Sequence, residues 1–78
     1  MMKIRLTDGS IYIGKDEADL IMQLKLEDWT SYKNVKAYKK NIKRRVKIFN
    51  GCQISYNNDL EFLQELQRVE FIKDIENI

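Results

Sequence analysis

The sequence predicts an α+β domain: a small antiparallel sheet, formed by an N-terminal hairpin and one or two short strands, packed by three helices in the order ββααβα(β). Three observations carry this expectation. Residues 3–13 alternate apolar and polar side chains on both sides of Asp8-Gly9, as two strands joined by a tight turn do. Val35, Tyr38, Ile42, Val46 and Phe49 recur at spacings of 3, 4, 4 and 3, the period of a helix that buries one face. Asn58 with Glu61 three positions on resembles a capping box, and Leu60, Phe62, Leu63, Leu66 and Val69 follow at helical spacing.

The remaining elements fall between these anchors. Asp16 is placed to cap a first helix reaching about Leu26, with Glu17 and Asp19 in the first turn, where the helix dipole favours negative charge. Ala18, Ile21 and Met22 are its expected inward stripe. Leu20 and Leu24 lie on another side, so this helix is expected to pack centrally. The pattern breaks at Glu27–Ser31, and Thr30 or Ser31 is the expected cap of the second helix, which runs to Phe49. Asn50-Gly51 stops it, and Cys52–Tyr56 alternates weakly, as a short strand would. Asn57-Asn58-Asp59 turns the chain into a third helix that ends near Arg68. The tail Phe71–Ile75 fits either an extension of that helix or a strand joining the sheet, and the pattern favours the strand. The glycines Gly9, Gly14 and Gly51 all fall at expected turns, and no proline, serine-rich linker or repeat divides the chain, so residues 1–78 are read as a single domain.

Composition excludes most familiar chemistry. The chain has no His and a single cysteine, Cys52, which leaves no histidine-based triad, no His or Cys-rich metal site and no intramolecular disulfide. Gly9-Ser10-Ile11-Tyr12-Ile13-Gly14-Lys15 matches the first seven positions of a phosphate-binding loop, but Asp16 stands where that loop needs a hydroxyl for Mg²⁺. A carboxylate there repels phosphate, and Ile-Tyr-Ile reads as strand. The carboxylates Asp16, Glu17 and Asp19, then Glu27 and Asp28, then Asp59, Glu61 and Glu65 lack calcium-loop spacing and read as caps and solvated faces. The expectation is therefore a non-enzymatic protein without metal or cofactor. Aliphatic runs reach three residues, as in Leu20-Ile21-Met22, against about 20 for a membrane span. With no signal-peptide core and one unpaired cysteine, a cytoplasmic, soluble protein is expected.

The charge layout is the least random feature. Residues 1–28 carry four Lys/Arg and six Asp/Glu, residues 29–58 carry eight and none, and residues 59–78 carry two and six. On the second helix Lys33, Lys36, Lys40, Lys43, Arg44 and Lys47 fall in a sector of about 100 degrees opposite the Val35-Ile42-Phe49 stripe. From Lys33 to Lys47 the stripe would run about 21 Å, with Tyr32 at its border to stack on a base. A face almost wholly of lysine favours phosphate-backbone contact over base reading. The competing expectation is a solvated surface, or one neutralised by the acidic helices.

Arg45-Val46-Lys47-Ile48-Phe49-Asn50-Gly51, Ile54-Ser55-Tyr56 and Asp59-Leu60-Glu61-Phe62-Leu63 resemble small accessory proteins of phages and prophages of AT-rich bacteria, some of which are anti-defence inhibitors such as anti-CRISPR proteins. The resemblance implies a short, non-enzymatic inhibitor of a host protein or nucleoprotein complex. The dominant patch is basic, unlike acidic mimics of DNA. The expected partners are thus a host protein or nucleoprotein, or DNA or RNA bound directly, with a homodimer left open and no membrane.

Overall fold

The computed structural model describes residues 1–28 and 33–78. Two strands, β1 (Met2–Leu6) and β2 (Ile11–Gly14), precede three helices, α1 (Glu17–Glu27), α2 (Val35–Asn50) and α3 (Asp59–Arg68), and a final strand, β3 (Ile72–Asn77). The sheet is antiparallel with order β2-β1-β3, so the expected α+β architecture holds and the tail is a strand.

The hairpin turns through three residues. The Leu6 amide donates to the Ser10 carbonyl at 2.8 Å and the Gly9 amide to the Leu6 carbonyl at 3.0 Å, with Gly9 at φ 95. A left-handed residue at that position suits glycine, which lacks the Cβ that would clash. The Asp8 carboxylate accepts the Ser10 amide at 2.9 Å, and this hydrogen bond holds its pKa below the usual value.

Strand alternation sorts the sheet into two faces. Met2, Ile4 and Ile72 are buried against the helices, with Leu6, Tyr12 and Ile75 packed beside them. The outer face carries cross-strand charge pairs: Arg5 lies opposite Asp74 and binds it, and Lys3 lies opposite Glu76 at 4.0 Å. A bulge at Lys73 explains the ambiguity of the tail. Leu6 pairs with Ile72 while Arg5 pairs with Asp74, so the extra residue brings both Ile72 and Ile75 to the inner face despite their helical spacing of three.

Helix starts are set by side-chain caps. Asp16 caps α1 by accepting the Asp19 amide, and Asn58 caps α3 by accepting the Glu61 amide. Thr30 and Ser31 lie outside the described residues, and the cap of α2 is instead Asn34, whose side chain accepts the Ala37 amide at 2.9 Å. Gly51 closes α2 by donating its amide to the Lys47 carbonyl.

Helix α1 touches both hairpin strands and both other helices, the expected central place. Its buried residues are Leu20, Ile21 and Leu24, whereas Ala18 and Met22 face solvent. The inward stripe is thus rotated from the expected one. Apolar and polar residues are interleaved around this helix, so it carries no marked amphipathic direction, and its neighbours choose the face. Residues 52–56 form no strand. Their alternation survives in burial, with Ile54 fully enclosed and Gln53 and Ser55 exposed, but the segment is not part of the β2-β1-β3 sheet.

Helix α3 ends in a Schellman turn. The Glu70 amide donates to the Gln67 carbonyl at 3.1 Å and the Phe71 amide to the Leu66 carbonyl at 2.9 Å. Glu70 sits at φ 66 in the position that favours glycine. We expect Glu70→Gly to raise stability by about 0.5–1 kcal/mol and Asn34→Ala to lower it by about 1 kcal/mol, both read from urea unfolding midpoints.

Candidate functional site

Helix α2 has two faces because its sequence repeats at helical period. Tyr38, Ile42 and Val46 enter the core, and the cations occupy the opposite side. Of the six expected residues, Lys36, Lys40, Lys43, Arg44 and Lys47 lie on the helix; Lys33 precedes it and is exposed. Tyr32 lies outside the described residues. The helical part of the stripe, Lys36 to Lys47, spans about 16 Å. Lys40, Lys43, Arg44 and Lys47 line one shallow depression with Ala37, Asn41 and Gln53, and no carboxylate lines it. Gln53 reaches this site from the coil after α2, a contribution that no periodicity in the sequence signals.

The fold treats the eight cations of the basic segment in two ways. Arg45 binds Asp28 at 3.0 and 3.4 Å. Lys39 binds Asp59, and its ammonium stands 5.5 Å from the Tyr56 ring centre and 5.4 Å from that of Phe62. Those rings meet edge to face at 4.9 Å, which makes a partly desolvated seat for the charge. Both cations flank the buried stripe, about 60 degrees to either side of Ile42, so helical phase marks them as structural. Lys33, Lys36, Lys40, Lys43, Arg44 and Lys47 make no ion pair with any described residue.

The acidic segments do not cover this face. Asp16 is engaged as a cap, and Asp19 accepts the Lys15 amide. Glu61 accepts from the Asn57 amide, Glu65 binds Arg68, and Asp74 and Glu76 serve the sheet ladder. Among the described residues no group of three or more carboxylate or cysteine side chains converges as a metal site requires, and no helix is long and apolar enough to cross a membrane. The phosphate-loop spacing Gly9–Lys15 is used by the turn and β2, and a Cβ at Gly14 would meet Leu20 at 3.1 Å, so this glycine serves helix packing. Burial pushes the Tyr12 phenol above its usual pKa, with the charges of Glu27 and Asp8 acting in the same direction, so it stays neutral near pH 7. Comparison with known protein families, curated proteins and solved structures finds no match.

One expected core residue is displaced. Phe49 is 81 % exposed, because α2 runs a turn past the part of the core that buries Val46; Ile48 beside it is 68 % exposed. Periodicity assigns a face to a residue, whereas the end of the helix decides whether anything lies under it. We expect Phe49→Ser to change stability by less than about 0.5 kcal/mol while Ile42→Ala costs about 2–5 kcal/mol, compared by chemical denaturation of the two variants.

Proposed function

We propose that the protein is a non-enzymatic binding module of the phage accessory type that docks on a host nucleoprotein through the outer face of α2, with Lys33, Lys36, Lys40, Lys43, Arg44 and Lys47 meeting exposed phosphates. The observation that carries this reading is the unequal use of charge. Lys39 and Arg45 have acidic partners within the fold, while the six cations of the stripe have none among the described residues. A face meant only to keep the domain soluble gains nothing from this segregation, whereas a polyanion gains from each cation that arrives uncommitted. Five of the six cations of the stripe are lysines, which favours phosphate-backbone contact over base reading.

A second reading, a regulator that binds free nucleic acid through the same face, is favoured by the length of the stripe, which follows several phosphates of one strand. The two separate by titration of labelled duplex DNA, single-stranded DNA and RNA, and of a nucleoprotein such as a guide-loaded effector complex. The nucleoprotein reading expects tight binding only to the assembled complex. The regulator reading expects binding to a free polymer with log affinity falling against log salt at a slope of about −5 for a duplex if all six cations engage. Lys36→Glu, Lys40→Glu and Lys43→Glu combined should leave the fold intact by circular dichroism and reduce binding at least about a hundredfold at low salt. Unchanged binding by that triple variant would reject both readings.

A further inference from the structure

Strand β2 is an open edge of the sheet, and its backbone geometry shows which groups face outward. The Leu6–Ser10 pair is hydrogen-bonded, so by antiparallel alternation Ile4–Tyr12 and Met2–Gly14 are the bonded pairs, and Ile11 and Ile13 turn their amides and carbonyls away from β1. The Ile13 carbonyl accepts the Gln23 side-chain amide at 2.9 Å, which sets that side of α1 along the edge. Leu26, one turn beyond Gln23, is 71 % exposed, and Ile11 and Ile13 are 53 % and 49 % exposed on the outer face. The opposite edge, β3, carries Lys73, Asp74 and Glu76, charges that oppose strand addition, whereas β2 carries none.

We infer that β2 pairs antiparallel with β2 of a second copy of this chain about a two-fold axis at Tyr12, making one continuous sheet across the pair. The edge is self-complementary. Ile-Tyr-Ile reads the same in both directions, so Ile11 lies opposite the partner's Ile13 and their outward amides and carbonyls bond to one another, the Ile13 carbonyl through the lone pair that Gln23 does not use. Carried past the ends of β2, this register brings Lys15 toward the partner's Asp8-Gly9 turn. Both Lys15 and Asp8 are exposed and make no ion pair with described residues, and the two-fold axis forms the contact twice. Asp16 comes toward the same turn as a like charge to the partner's Asp8, and Lys15 beside it offsets that repulsion. This complementarity selects a second copy over an unrelated extended chain, and it stands independently of the function proposed for α2.

The test uses the full chain from micromolar to millimolar concentration, with sedimentation for mass and NMR amide exchange for the edge. The expected result is a shift from 9.4 kDa to twice that mass, with the Ile11 and Ile13 amides gaining at least about tenfold protection as the dimer forms. Ile13→Lys, on an exposed position, should restore the monomer without changing the circular dichroism spectrum, and Lys15→Glu should weaken association several-fold. A chain that stays monomeric with exchanging edge amides would overturn the inference and leave the edge to a strand from another protein. A dimer whose Ile11 and Ile13 amides remain unprotected would overturn it in favour of another interface, and because this readout uses the unaltered chain it stands even if a variant fails to fold.

Discussion

A domain of this size has room for one apolar cluster and none for an enclosed charge, and the arrangement of its surface follows from that constraint. The core draws residues from every element, and among the described residues no charged or polar side chain is fully buried. Each charge therefore lies at or near the surface, where its neighbours decide whether it is neutralised. Acids are drawn into helix caps and into pairs with Arg5, Arg68, Lys39 and Arg45, because these positions satisfy orphan amides or facing cations at little desolvation cost. Among the described residues, the cations on the far side of α2 have no acidic partner.

The two paired cations of α2 hold the helix at different points along its length. Asp28, at the end of α1, meets Arg45, and Asp59, at the start of α3, meets Lys39. An exposed pair contributes at most about 1 kcal/mol, but Lys39 lies beneath two aromatic rings with its side chain only 13 % exposed, so its pairing is screened less by water. These contacts orient α2 about its axis in the same sense as burial of Tyr38, Ile42 and Val46. The outward sector is then fixed in direction, and its cations form no ion pair with the described residues.

Most of the candidate site is legible in the amino-acid sequence. Helical phase places Lys36, Lys40, Lys43, Arg44 and Lys47 opposite the buried stripe, and a phase angle needs no knowledge of neighbours. Phase does not show the beginning of the helix at Asn34, which leaves Lys33 ahead of it, or the arrival of Gln53 beside the stripe. Asn, Ser and Thr cap almost equally well, so competing candidates within a few residues are not separable by type alone. The separation of Lys39 and Arg45 from the other cations is implicit in their phase. Their partners, 20 and 17 residues away in the chain, are not.

By itself the sequence determined the features that depend on local period and local backbone chemistry: the hairpin around Gly9, the caps at Asp16 and Asn58, the buried and cationic faces of α2, and the α+β class. Tertiary structure decided whatever depends on what lies alongside. It chose Leu20, Ile21 and Leu24 over Ala18 and Met22 as the inner face of α1, left Phe49 largely exposed, and kept residues 52–56 out of the sheet. It also turned the tail into β3 by absorbing Lys73 as a bulge. The physical reason is common to all four. Hydrophobic burial and strand pairing are shared between elements distant in the chain, so a residue's own pattern states what it can satisfy, and only its neighbours determine what it does.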